Sequence, residues 1–249
     1  MSAKIVGTSI CVTSSQQITL HGCGIPIRGY SPTKRNPAPM PPTTPIAHSK
    51  TAALSRILDV VPRGYVRFTA GVVSSDKVIT LANKFHRLFG IGATPAQRLT
   101  RKRDGLANAL MVIYWPPDTP AAHWLLLATN GAGLEREQLQ LVTDKPRLNW
   151  LGYELVRHAT RGGTRWTWRR PKSEMAEHYL MLQNIAGRRN EQGMSEFLER
   201  LARQPGFHGV REQTRALCLS ARRLGHTGEL PVLYYTQKVS HGERIVLTG

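Results

Sequence analysis

KSEMAEHYLMLQNIAGRRNEQGMSEFLERLARQPGFHGVREQTRALCLSARRLG, residues 172–225, holds no candidate strand and three helical stripes in succession. Met175, Tyr179, Leu182 and Ile185 recur at helical spacing, then Phe197, Leu198 and Leu201, then Val210, Leu217, Ala221 and Leu224. Residues 187–193 and Pro205-Gly206 punctuate the three. On the last stripe Arg211, Arg215 and Arg222 are spaced by four and seven, so they share a face that the apolar residues do not occupy. One side packs and the other is cationic.

Strands flank this block on both sides. Before it, GYELVRHA (152–159) and TRWTWRR (164–170) read as a hairpin around residues 161–163, with Trp166 and Trp168 alternating toward a core. ALMVIYW (109–115) and HWLLLAT (123–129) are apolar runs joined by PPDTPAA, as expected of two deeply buried antiparallel strands. Residues 135–142 read as a short helix. Residues 76–89 form an amphipathic helix closed by Gly90 and Gly92, YVRFTAGVV (65–73) a strand, and KTAALSRILDVV (50–61) a helix capped by Ser49. KIVGTSICVT (4–13) and QQITLHGCGIPI (16–27) read as two N-terminal strands, and PVLYYTQKVS (231–240) with ERIVLTG (243–249) as a final strand pair. Six prolines in residues 30–49 remove donors and forbid both helix and central strand. That stretch, 31–48, reads as a linker or as a basic, semi-extended arm. The fold class is therefore α+β, with an N-terminal domain over 1–150, a C-terminal domain over 151–249 and a helical insertion at 172–224.

The chain has 249 residues, and 34 Lys+Arg against 16 Asp+Glu give a net charge of +18. With 41% hydrophobic residues, this surplus belongs to a chain able to bury a core and not to a disordered basic tail. No Asp or Glu occurs in residues 1–58, 84–103 or 157–172, where a solvated face would ordinarily mix signs. Self-repulsion of this size is relieved by a polyanion, and arginine's planar fork suits phosphate. The candidate nucleic-acid contacts are Lys34 and Arg35 on the arm; Arg98, Arg101, Lys102 and Arg103; Arg161, Arg165, Arg169 and Arg170; Arg188 and Arg189; and Arg211, Arg215, Arg222 and Arg223. No run approaches the length of a bilayer span and no signal-peptide pattern opens the chain, which predicts a cytoplasmic protein with no membrane partner. The three cysteines lack CxxC spacing and read as reduced core thiols.

HExxH, DxD, HxH, GxxxxGK[ST] and GxSxG are all absent from the sequence, so no metal and no cofactor is expected. The chemistry left to an Arg/His/Tyr-rich chain is attack of an RNA 2′-hydroxyl on its own phosphate, giving a 2′,3′-cyclic phosphate. His21, Arg28 and Tyr30 fall within ten residues, with His21 the candidate base and Arg28 the phosphate clamp; His48 competes for the base role.

The helical stretch 172–223 with its arginines, the terminal runs KIVGTSICVT and PVLYYTQKVS, and the acid-free clusters together resemble the crRNA-processing endoribonucleases of the CRISPR RAMP superfamily, type IV branch. That resemblance implies ferredoxin-like (RAMP/RRM-like) domains with a helical finger, gripping a repeat hairpin RNA and cutting it without metal at its 3′ base. It also implies retention of the crRNA product as a subunit of a type IV CRISPR ribonucleoprotein complex. The family's glycine-rich loop is reduced here to LGHTG, residues 224–228. A non-catalytic DNA-binding accessory protein of a plasmid or mobile element, reading DNA with helices at 173–186 and 208–224, is the alternative. An RNA-binding structural subunit without activity is a third reading.

Overall fold

The computed structural model describes residues 41–235 and 242–248. Its main sheet is built from apolar runs that must be covered twice. β3 (Ala109–Tyr114) and β4 (Ala121–Ala128) pair antiparallel from Ala109↔Ala128 to Tyr114↔His123. Leu125, Leu127 and Val112 point into one buried cluster, and Leu126, Ala128, Met111 and Ile113 into another. Helices α1 (Lys50–Val60) and α2 (Val78–Phe89) cover those two faces, which is why neither strand alternates apolar with polar residues. Ser49 caps α1 by accepting from the Ala52 N–H at 3.1 Å, and Gly90, at φ +67°, closes α2 in the left-handed conformation that glycine adopts without strain.

β1 (Thr43–Ala47) and β2 (Arg67–Ser74) complete the frame with β5 (Gln140–Leu141) and β9 (Arg244–Val246), in the order β5-β2-β4-β3-β1-β9. β1 runs parallel to β3 and antiparallel to β9. The sheet is therefore mixed, and with six α-helices among the described residues the protein is α+β. β1 corrects the expectation that the Pro-rich stretch excludes a central strand. Pro45 pairs with Arg244, while the registered pairs with β3 begin only at Ile46 and the Thr44 hydroxyl donates to the Met111 carbonyl at 3.2 Å. The absent N–H thus falls where the ladder to β3 has not begun.

Three further expectations are corrected. Residues 135–142 are not a helix: the Glu135 carboxylate accepts from the Gly133 N–H at 2.8 Å, and β5 pairs with β2. Of the strand expected over 231–240, residues 231–235 carry none and 236–240 lie outside the described residues, and β9 pairs with β1. A helix not foreseen, α3 (Pro95–Arg103), opens on a Thr94/Gln97 capping box with Pro95 in its first turn. The expected strands over 4–27 lie outside the described residues.

The second sheet is β6 (Asn149–Trp150), β7 (Tyr153–Thr160) and β8 (Gly163–Arg169), with β7 and β8 forming the expected hairpin. Beyond it come α4 (Lys172–Gly187), α5 (Glu191–Ala202) and α6 (His208–Arg223), which enclose Leu182, Phe197, Leu198, Leu201, Leu217 and Ala221. Cys218 is buried there as a free thiol. The hairpin's Leu155 and Trp168 belong to the same buried cluster as Leu54 and Ile57 of α1, and the Trp168 indole donates to the Leu54 carbonyl at 3.0 Å. The core cluster that holds Leu54, Ile57, Leu155 and Trp168 takes residues from both sides of the boundary expected at residue 150.

Arg170 joins the hairpin to the three helices. Its side chain is fully buried. The guanidinium donates to Gln204 Oε1 at 2.7 Å, Thr214 Oγ1 at 3.0 Å and the Val210 and Leu201 carbonyls at 3.3 Å each, with Glu174 Oε1 3.9 Å away. Its backbone exchanges two bonds with the Gln213 side chain, at 2.7 and 3.0 Å. Gly209 brings α6 close: a Cβ there would lie 2.6 Å from the Trp168 carbonyl oxygen. Burial lowers the pKa of Arg170, opposed by Tyr153 and Glu174. Arg170→Leu strands those acceptors and is expected to cost about 3 kcal/mol, as for a broken buried pair. For a unit of this size that is a fall in Tm of about 6–12 °C. Thermal melting checks it, and an unchanged transition would deny Arg170 this role.

Candidate nucleic-acid interface

Strand alternation divides the β7–β8 hairpin into two working faces. On one, Leu155/Trp168, Arg157/Trp166 and Ala159/Thr164 stand opposite each other; on the other, Glu154/Arg169, Val156/Thr167 and His158/Arg165. The first face packs on α1 and the second on the start of α6, where the Gly209 N–H donates to Thr167 Oγ1 at 3.1 Å. Both faces are buried near the base of the hairpin and exposed toward its tip, where Arg161 and Gly162 sit.

The second face continues into α6. The His158 and His208 rings stack with centroids 4.1 Å apart, and His208, Arg211, Glu212 and Arg215 follow at helical spacing on the exposed side of the helix. His208, Arg211, Glu212 and Arg215 line a notch of about 130 Å³ with Leu233 and Tyr235. Arg211 Nε donates to the Leu233 carbonyl at 3.2 Å, and its guanidinium lies 3.4 Å from the Tyr235 ring centre. His208 Nδ1 is 3.4 Å from Glu212 Oε2, a carboxylate–imidazole pair one helical turn apart. Arg215 is exposed and makes no hydrogen bond or ion pair among the described residues. Arg165, Arg211 and Arg215 thus form a cationic ledge with His158 and His208 among them and one carboxylate in it, Glu212.

The structure sorts the sequence-derived candidates into three groups. Arg170 is a core residue and is withdrawn as a nucleic-acid contact: burial removes its guanidinium from any ligand. Arg169 is half-buried and paired with Glu154 at 3.1 Å. Several others brace backbone while staying near the surface. Arg98 donates to the Ala93 carbonyl, Arg101 donates twice to the Ala107 carbonyl at 3.1 and 2.9 Å, and Arg222 donates to the His226 carbonyl at 2.7 Å. Lys102, Arg103, Arg161, Arg165, Arg188, Arg189, Arg215 and Arg223 are exposed, Arg103 beside Asp104. His21, Arg28, Tyr30, Lys34 and Arg35 lie outside the described residues. His48 is exposed after β1, and because the Trp115 carbonyl 2.7 Å away only accepts, its proton sits on Nδ1 and Nε2 is left as an acceptor.

A larger cavity of about 420 Å³ between α2 and α3 is lined by His86, Gln97, Thr100 and Arg101. His86 Nδ1 is already bonded to the Ile91 carbonyl and Arg101 to Ala107, so its principal polar groups are engaged internally. The stacked histidines and the Arg157–Trp166 pair, 4.6 Å from guanidinium carbon to ring centre, were not foreseen. Fifty residues separate His158 from His208 with no spacing to link them. For Arg157 and Trp166 the signal was present, in the hairpin register.

Residues 226–235 lie along the helices through Arg211 and Arg222, and a third clasp holds their start. Glu191 Oε1 accepts from the Gly228 and Thr227 N–H groups, both at 2.7 Å, and lies 2.8 Å from Nδ1 of buried His226, off the line of a well-aligned hydrogen bond. The Gly228 N–H first, then His226 and Thr227, pull the Glu191 carboxyl down from its ordinary 4.5 to about 2. A carboxyl depressed by folding stabilises above its unfolded value and loses that contribution as pH falls through the folded one. The clasp is therefore complete above about pH 4.5 and lost toward pH 2. Glu191→Gln is expected to lower Tm at pH 7 and to flatten its pH dependence across that interval. Melting curves from pH 7 to 2 test this, and parallel curves for the two proteins would refute it.

Comparison with protein-family models, with curated proteins and with solved structures finds no match to this chain.

Proposed function

We propose that this protein binds a stem-loop RNA along the ledge formed by the β7–β8 hairpin and α6, and cleaves it without a metal ion. The observation that carries this reading is the notch itself. A histidine backed by a carboxylate stands beside two arginines, one of them without a partner among the described residues, in a space too small for an ordinary drug-sized ligand and suited to a phosphate group. In the finer form of the reading the substrate is a CRISPR repeat, the product is mature crRNA, and the protein stays on it as a subunit of a type IV complex. The mixed sheet and the arginine-bearing helices are compatible with that form, whose ferredoxin-like frame is part of the proposal.

The chemistry needs three roles. The His208 imidazole takes the proton of a ribose 2′-hydroxyl, its Nδ1 side held by Glu212. The 2′-oxygen forms a bond to the adjacent phosphorus while the bond to the 5′-oxygen breaks; solvent protonates that leaving oxygen, giving a 2′,3′-cyclic phosphate and a 5′-hydroxyl. Arg211 and Arg215 stabilise the charge that accumulates on the phosphorane. His21, Arg28 and Tyr30, or His48, are the other candidates for these roles. The DNA-reading alternative needs the exposed face of α6 free along its length, and residues 226–235 lie against part of it through Arg211 and Arg222.

With the three ledge arginines on phosphates, affinity for a stem-loop is expected to fall about fortyfold for a fourfold rise in salt. Duplex DNA should compete poorly in the same gel shift. Cleavage is expected to persist in EDTA; His208→Ala should lower its rate by a factor of about 10²–10⁴ while sparing binding. Arg215→Ala should weaken binding and leave Tm unchanged. Parallel His21→Ala and His48→Ala variants locate the base: full activity in His208→Ala with loss in either of these would move it there. Absence of binding at low salt would end the reading.

A further inference from the structure

The other face of the hairpin holds a second cavity, of about 500 Å³, lined by Leu58, Pro62, Arg157, Thr164, Arg165 and Trp166. We infer that it is a slot for one unpaired nucleotide of the bound RNA, with the base against Leu58, Pro62 and Trp166 and its phosphate toward Arg157 and Arg165. This rests on the RNA-binding reading and adds the class of nucleotide that the RNA must present there.

The lining decides the class of ligand. Leu58 and Trp166 are the half-buried margin of the larger core, so the part of the lining they form is apolar. The Arg157 guanidinium lies over the Trp166 ring, 4.6 Å from its centre, and this stacked pair gives a base a flat cationic surface to lie against. Thr164 and Arg165 are exposed at the rim, and no carboxylate lines the cavity. A free inorganic anion would leave the apolar floor unused, and a neutral apolar ligand would leave two arginines desolvated without a partner. A nucleobase with an attached phosphate uses both. A base stacked between its neighbours in a duplex does not present a free face to this lining, so the nucleotide is taken to be single-stranded. The His158–His208 stack joins the notch to the hairpin face opposite the slot, and His158 and Arg165 stand two residues, roughly 7 Å of strand, from the turn. An RNA leaving the notch reaches the slot around Arg161 at the tip.

The test uses the full chain and two probes. Intrinsic tryptophan fluorescence is followed during titration with adenosine or uridine 5′-monophosphate and, as control, ribose 5-phosphate. Saturable quenching by the nucleotides alone is expected, reduced at least fivefold in apparent affinity by Arg157→Gln, an exposed substitution that leaves the fold intact. In parallel, a stem-loop with a single-stranded flank is compared with variants abasic at one flank position at a time. One abasic position is expected to weaken binding about five- to a hundredfold, the range for loss of one stacked base, and Trp166→Leu should erase that difference. Equal binding by every abasic variant overturns the slot while leaving the RNA grip standing, even if free nucleotides bind. Quenching by ribose 5-phosphate as strong as by the nucleotides also overturns it. Loss of all stem-loop binding at low salt, with nucleotide quenching retained, instead removes the RNA reading and with it the RNA source of the ligand.

Discussion

A guanidinium with no access to water holds the arginine-bearing helices of this protein to its sheets. Burying Arg170 is costly unless its donors find acceptors, and these come from three directions: α5 through the Leu201 carbonyl, the α5–α6 turn through Gln204, and the body of α6 through Thr214 and Val210, with the Glu174 carboxylate of α4 3.9 Å away as a counter-charge. Satisfying them leaves α6 little freedom to rotate or slide. The exposed positions of His208, Arg211 and Arg215 follow from that fixation, because their side of the helix is the one turned away from Arg170 and Leu217. A buried cation thus orients exposed ones.

The same economy runs through the rest of the basic surplus. Arginine has five donors, and several arginines spend one or two on a carbonyl oxygen: Arg101 on Ala107, Arg211 on Leu233, Arg222 on His226. Each braces an irregular stretch of backbone that no ladder or helix satisfies, while the charge stays near the surface. A high arginine share therefore serves loop structure and surface potential together, and net charge alone overstates the number of side chains free to meet a ligand.

The regular elements were largely legible. Helical periodicity over 172–225, the Ser49 cap, the Gly90 stop and the two apolar runs at 109–115 and 123–129 each reflect a local rule that tertiary structure obeyed. β1 was missed because a proline count says nothing about which flank of a strand lacks a partner. α3 was missed because its one large apolar side chain, Leu99, is exposed and leaves no stripe, although the Thr94–Gln97 spacing announced its start. The candidate interface was legible only in part. Exposed Arg161, Arg165 and Arg215 followed from charge windows and helix spacing, but Arg169 and Arg170, in the same acid-free window, went to internal partners. A stretch without acids close in sequence still meets Glu154 and Glu174 across a hairpin or one helical turn.

β9 has one more consequence. Its three residues close the outer side of β1, yet nearly all of the described chain is made between the two strands. During synthesis β1 can already have β3 on its inner side while its other row of peptide groups remains open, a ready template for a foreign strand. Until residues 244–246 emerge, β1 is therefore adhesive along its outer row, and a chain broken off before them would stay so.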